Sequence, residues 1–275
     1  MRCKPQAVLL VAVLFVAVGA GAGCNKLKAR DRLNKGVQAY KNAQFDEAIE
    51  DFKDAKQLDP SLTNAQLYLA AAYANQYIPG APSPENIRNG DAAIDEYKAI
   101  LANDPNNLQA IDGIGSILFN IGSSPPFDAD KLEESKTYHQ KHIALNPDDP
   151  ESYYWVGVID WGLAYHGNRE FRDDYNKTAK KPLKEDDPLP PKVRDDFTMK
   201  YGATVDDGIT QLQKAISLRS DYDDAMAYLN LLYRQKADME TSMDARNADL
   251  QQANDLVEKV KAIKQKKAGM SQPTS

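Results

Sequence analysis

The sequence predicts an all-α protein, a solenoid of helical hairpins closed by a C-terminal capping helix. Two observations carry that reading. A frame first met as "FDEAIEDFKDAKQLDP" (45–60) returns as "GDAAIDEYKAILANDP" (90–105), "LEESKTYHQKHIALNP" (132–147) and "VDDGITQLQKAISLRS" (205–220). Inside the frames apolar residues recur three and four apart, the period of one face of a helix.

The first element is not part of this fold. Arg2 and Lys4 precede an apolar run, "AVLLVAVLFVAVGAGAG" (7–23), which ends in small residues just before Cys24. The run is short for a spanning helix and has the charged start of a secretory signal, so 1–23 is expected to be removed. Cys3 would leave with it, and Cys24 would be the mature chain's single cysteine. Gly21, Ala22, Gly23 and Cys24 resemble a bacterial lipobox, although its usual Leu three before the cysteine is here Gly21. The resemblance implies lipidation at Cys24, with 24–28 as a short linker, and membrane attachment through that lipid. Asn25 and Lys26 after the cysteine are, in such lipoproteins, compatible with an outer membrane facing the periplasm. A cleaved signal with a free thiol and an uncleaved anchor are the alternatives. An exposed lone thiol in an oxidising compartment would be a liability.

At 275 residues, 42% hydrophobic and 27% charged, the remainder suffices for one or two globular domains. The formal charge is −6, with both signs interleaved along the helices. A nucleic-acid surface needs clustered Lys and Arg, so nucleic acid is excluded as a partner.

The first hairpin occupies 29–60. Phe45, Ala48, Ile49, Phe52, Ala55 and Leu58 share a face, and Asp59-Pro60 stops the helix. Upstream, "RLNKGVQAYKNAQ" supplies its partner, with Gly36 and Ala39 as points of close approach. Gly36, Tyr40, Ala48, Phe52, Ala55 and Pro60 together resemble the tetratricopeptide repeat, whose period is about 34 residues. Leu69, Ala70, Tyr73, Ala93, Tyr97 and Pro105 repeat the signature, as do Ile114, Gly115, Leu118, Ser135 and Pro147. The fourth unit has Val156, Gly157, Leu212 and Ala215, with Ser220 in place of Pro, and a fifth first-helix (221–238) carries Leu229 and Tyr233. The resemblance covers 29–238 and implies a right-handed solenoid that binds protein or peptide partners.

Pro60, Pro105, Pro147 and Ser220 are further apart than the repeat period. Alignment places the excess between the two helices of a unit, near 77–90, 123–130 and 166–204. Such insertions share one edge of a solenoid and would build a binding rim; plain surface loops, cheap in closure entropy, are the alternative. In 166–204, "KEDDPLPPK" (184–192) offers three acids as a cation site, but prolines and mixed charge favour a solvated, partly extended loop.

The last helix, 244–266, puts Leu250, Ala253, Val257, Val260 and Ile263 on one face. Lys259, Lys261, Lys264, Lys266 and Lys267 suit the polar outside of a cap and the negative end of the helix dipole. A patch for anionic lipid is the sharper alternative, but these lysines lie at the far end of the chain from the expected lipid, which favours the cap. The repeat domain then spans 29–267, and 268–275 is a disordered tail.

No motif of nucleophile, phosphate loop, zinc protease or paired CxxC is present, and the chain is read as non-enzymatic. His139 and His142 lie three apart on one face, but no carboxylate or cysteine stands beside them at ligand spacing, which favours core histidines over a metal site. His166 has no evident partner. Gly113 and Gly115 in "DGIGS" (112–116) follow no strand and are assigned to helix packing rather than a nucleotide loop. Neither metal nor cofactor is expected.

What remains is a surface. The resemblance assigns one lining position of the concave face to Tyr40, Phe119, Trp161 and Arg234, and its neighbour to Leu33, Leu67, Asp112, Tyr154 and Ala227. The inner Lys and Asn with which some members clamp a C-terminal carboxylate are missing. Aromatic and apolar groups among a few polar ones suit an extended peptide or an amphipathic helix, unless the rings pack beneath the insertions. The expected partner-binding residues are Tyr40, Leu67, Phe119, Tyr154, Trp161 and Arg234, centred on Tyr154, Trp161 and Phe119. The leading reading is a lipid-anchored envelope scaffold. The alternative is an accessory ligand-binding protein for periplasmic small-molecule uptake, with Trp155 and Trp161 as its indoles.

Overall fold

The computed structural model describes residues 6–270, with side chains described for 24–269. Ten helices and no strand occur among the described residues: α1 (Gln6–Lys41), α2 (Phe45–Leu58), α3 (Thr63–Gln76), α4 (Pro84–Asn103), α5 (Leu108–Ser123), α6 (Ala129–Leu145), α7 (Pro150–Asn176), α8 (Pro191–Leu218), α9 (Asp223–Ala237) and α10 (Met243–Met270). Segment 1–23, expected to be a removed signal peptide, lies outside the described side chains. The tail expected to be disordered from 268 is helical to Met270, and 271–275 lie outside the described residues.

The four frames end their helices in one way. The backbone N–H of Asp59 returns to Ala55 O at 3.0 Å, that of Asp104 to Ile100 O at 2.9 Å, Asn146 to His142 O at 2.8 Å and Arg219 to Ala215 O at 2.9 Å. Each donor follows its helix in a non-helical conformation, so the last turn is closed and the chain turns away. Pro60, Pro105 and Pro147 then forbid a further turn.

Two compact units divide the chain between Ile117 and Leu118, within α5. In the N-terminal unit, Phe52 of α2 is fully buried with Ala39, Ala48, Ile49, Leu69 and Ala72. Its ring lies against Gly36 of α1, where a Cβ would come within 2.5 Å of the ring carbons. Helices can approach this closely only if one of them lacks a side chain there. Gly113 stands in the same relation to Tyr97, which makes "DGIGS" a helix-packing element. Burial raises the Tyr97 hydroxyl to about 12. Glu96 of α4 accepts from Lys56 of α2 at 2.6 Å and from Gln66 of α3 at 3.1 Å, so one carboxylate ties three helices.

The first insertion is shorter than 77–90, because α4 begins at Pro84 with Ser83 accepting from Asn86 N at 3.1 Å. Asn86 organises what is left. Its side chain accepts from Ile78 N at 2.6 Å and donates to Ile78 O at 2.8 Å and Ala81 O at 2.9 Å. Gly80 supplies the left-handed turn, at φ 77°. The second insertion is likewise short, since Asp128 caps α6 by accepting from Lys131 N at 3.1 Å.

In the C-terminal unit the long insertion corrects the expectation of an extended loop over 166–204. Helix α7 continues to Asn176 and α8 begins at Pro191, so only 177–190 is non-helical. The extensions pack on each other. Phe171 meets the buried Phe197 edge to face at 5.9 Å, and Gly167 admits the Tyr201 ring. Pro191 opens α8 as its first residue, where proline's missing N–H costs nothing. Below, Gly157 lies against Leu212, and Leu212, Val205, Ala225, Leu232 and Ala253 are fully buried in a core that joins α7, α8, α9 and α10.

Candidate docking site in the C-terminal unit

Helix α7 carries the site. Its period places Tyr154, Trp161 and Tyr165 on the side facing α9, all partly buried. Tyr228 of α9 receives two of them, Tyr154 at 5.8 Å (74°) and Trp161 at 5.2 Å (68°), both edge to face. Trp161 continues the row by stacking on Tyr165 at 5.3 Å and 19°. These spacings fall in the favourable range for aromatic pairs, so the rings brace one another.

The row is anchored at the Tyr154 end. Tyr154 packs 5.1 Å from Tyr222, whose hydroxyl donates to Glu151 Oε2 at 2.6 Å while Arg219 donates to Oε1 at 2.7 Å. Burial, reinforced by that acceptor, pushes the Tyr222 hydroxyl well above its ordinary range, and burial does the same to Tyr154. Both stay neutral donors under any ordinary condition.

At the other end Trp161 and Tyr165 open into a pocket of ≈190 Å³ lined also by Arg172, Arg234, Asp238 and Arg246. Arg172 is 8% exposed and spends its donors locally. Nε donates to Asn168 Oδ1 at 2.6 Å, Nη2 to Asp238 Oδ2 at 2.6 Å, and Nη1 to the carbonyls of Lys184 (3.1 Å) and Asp187 (2.9 Å). Arg246 of α10 adds a bond from Nη2 to Asp186 O at 3.0 Å. The 177–190 loop is therefore held by two arginines through its main chain. Its acids gather no metal cluster, and none of that kind occurs among the described residues.

The expected binding residues fall in different places. Trp161 and Arg234 are brought together in the pocket, where Arg234 donates to Asn230 Oδ1 at 3.3 Å and Asn254 Oδ1 at 2.9 Å. Tyr154 reaches Trp161 by way of Tyr228, one residue from the lining position assigned to Ala227. Phe119 packs with Leu132, Ile159 and Leu163 and meets Trp155 at 5.2 Å, so it joins the row through Trp155, itself 5.3 Å from Tyr154. Tyr40 and Leu67 belong to the N-terminal unit. Tyr40 packs on Phe45 and Tyr68 and accepts from Asn75 at 2.7 Å, and Leu67 is partly exposed on α3. Cys24 is exposed.

His139 and His142 are core groups. His139 is 2% and His142 4% exposed, and His139 stacks on Trp155 at 5.9 Å and 15°. Burial, then the neighbouring His142, lowers His139 to about 4. His166 stacks on Phe127 at 3.7 Å.

Solved structures share this arrangement of consecutive hairpins. The structure of a MamA protein superposes with a TM-score of 0.56 at 18% identity, covering 90% of this chain and 98% of that one. MamA 41-end from Desulfovibrio magneticus RS-1 gives 0.55 at 15% identity, covering 87% and 96%. The chain has a tetratricopeptide-repeat fold. No family model matches the sequence, and no curated protein matches it. The repeat fold rests on helix order and on close contacts such as Gly36 on Phe52.

Proposed function

We propose that this tetratricopeptide-repeat protein is a non-catalytic, lipid-anchored scaffold of the cell envelope, tethered through Cys24, whose C-terminal unit docks a protein or peptide partner. The observation that carries the reading is the braced row Tyr154, Tyr228, Trp161 and Tyr165. Rigid, half-buried aromatic rings lose little entropy when covered, and interface energy concentrates on such anchors. Arg234 beside Trp161 adds a directional polar contact at the edge. The apolar run before an exposed Cys24 supports the tether, and an outer-membrane lipoprotein facing the periplasm is the localisation that best fits it.

The test is capture from solubilised membranes with the full chain as bait, followed by mass spectrometry, beside Trp161→Ala. The substitution should abolish a specific partner while Tm falls by only a few degrees. A partner retained by a folded Trp161→Ala protein would end the docking reading. The tether is tested separately by feeding labelled palmitate, which should label the chain and fail to label Cys24→Ala.

A further inference from the structure

We propose that the pocket between α7, α9, α10 and the 177–190 loop is a carboxylate site, with Arg246 Nη1 as the group that receives the anion. Two buried guanidiniums, Arg172 and Arg246, each with 10% of the side chain exposed, face a single carboxylate, Asp238, at 12%. Arg172 is close to it at 2.6 Å, whereas Arg246 stands at 3.6 Å. Asp238 Oδ2 is further occupied by Asn168 Nδ2 at 3.0 Å. The centre therefore holds one positive charge more than it balances, and a buried charge without a counterion is costly.

The second observation is geometric and independent. Arg246 Nη1 is buried and makes no hydrogen bond, although the residue is only 8% exposed and lines the pocket. Gln235 Oε1, on another residue that lines the pocket, is a buried acceptor that likewise has no partner. A buried donor and a buried acceptor without partners, both on residues that line one pocket, fit a ligand that brings the opposite pair, a carboxylate and an N–H or O–H.

The rest of the pocket selects among such ligands. Trp161 stacked on Tyr165 provides a flat apolar wall, and Leu231 and Leu250 add to it. About 190 Å³ holds the equivalent of about six waters, which suits a compact body with one small ring. Arg169 and Arg234 at the mouth favour an anion, but Glu185 and Asp186 also line it and oppose a multiply charged one. The ligand class is accordingly a monocarboxylate on a flat aromatic or apolar body that also carries a hydrogen-bond donor. Such a group comes from a free organic acid or from an acidic side chain of a bound polypeptide. The pocket shares Trp161, Tyr165 and Arg234 with the proposed docking row, but the carboxylate reading does not require that a protein dock there.

Calorimetric titration of the full chain in detergent micelles tests this with 4-hydroxyphenylacetate against its neutral analogue 4-hydroxyphenylacetamide. The acid should bind at least tenfold more tightly. Arg246→Lys, which keeps the charge but removes Nη1, should weaken the acid at least tenfold and leave the amide unchanged. Glu185→Gln, an exposed substitution at the mouth, should tighten the acid severalfold and keeps the question open to decision if Arg246→Lys does not fold. Equal binding of acid and amide, no binding of the acid, or an acid affinity indifferent to both substitutions overturns the site. Acetyl-Tyr-Glu-Tyr-amide against its Gln counterpart then separates the sources: preference for the Glu peptide assigns the carboxylate to a polypeptide, and binding of the small acid alone assigns it to a free metabolite. Partner capture through Trp161 can fail while this titration succeeds, so the two readings fall separately.

Discussion

The ammonium of Lys136 lies 2.6 Å from the carboxylate of Asp160, a residue with no exposed surface at all, and 2.8 Å from Asp207. One cation from α6 thus serves acids from α7 and α8. Burial pushes Asp160 up to about 7 against the pull of Lys136, with Asp207 and Glu133 adding to the rise, while hydrogen bonds hold Asp207 below its usual range. The folded chain keeps a proton that the unfolded chain releases near 3.8, so this contribution to stability is complete below about pH 4 and is lost as pH climbs through 7. Asp160→Asn should remove the decline. Its Tm relative to wild type should rise between pH 4 and 8 by about 5 °C, read from thermal melts across that range.

His139 acts in the opposite sense. Its folded value of about 4 lies below the ordinary 6.5, so its contribution is present above pH 6.5 and lost as pH falls through 4. The two windows overlap, and wild type should look flatter than either group alone. His139→Phe keeps the stack on Trp155 and should expose the Asp160 slope, with a variant-minus-wild-type difference in Tm that is largest near pH 4.

Gly157 and Gly202 should respond to alanine with opposite signs. A Cβ at Gly157 would run into Leu212, whereas at Gly202 it meets only Thr198 Cγ2 at 3.6 Å. Gly157→Ala should cost about 1–3 kcal/mol, partly relieved when combined with Leu212→Ala. Gly202→Ala, inside α8, should add about 0.5–1 kcal/mol. Urea denaturation of wild type, Gly157→Ala, Leu212→Ala, their double variant and Gly202→Ala decides both.

Asn86→Ala should release the 77–83 turn. Three hydrogen bonds from one buried side chain are lost, at a cost of about 1–3 kcal/mol, and the Ile78 amide, now donating at 2.6 Å, should exchange with solvent much faster. Unchanged protection of Ile78 by hydrogen exchange would show that another group holds the loop.

The repeat was legible because close helix packing leaves a fingerprint of residue type and spacing, as with Gly36 and Phe52 or Gly157 and Leu212. The 166–204 segment misled because "HGNREFRDDYNK" is charged on most sides and its apolar contacts, Phe171 and Gly167, find their partners some 30 residues on in α8. Only the proline-rich turn kept its predicted character. Trp161 and Arg234 could be placed together by counting repeats, and Tyr228 was one residue from a counted position. Arg246, Asp238 and Asp160 gave no such signal. A buried charge is defined by partners on other helices, and nothing in its own neighbourhood marks it.

Arg172 and Arg246 grip the outer turn by the carbonyls of Lys184, Asp186 and Asp187. Every amino acid offers the same carbonyl. The side chains at Glu185 and Asp186 are therefore free to drift without the turn losing its place, and a lineage can rewrite the mouth of this pocket, altering what it admits, while the frame beneath stays fixed.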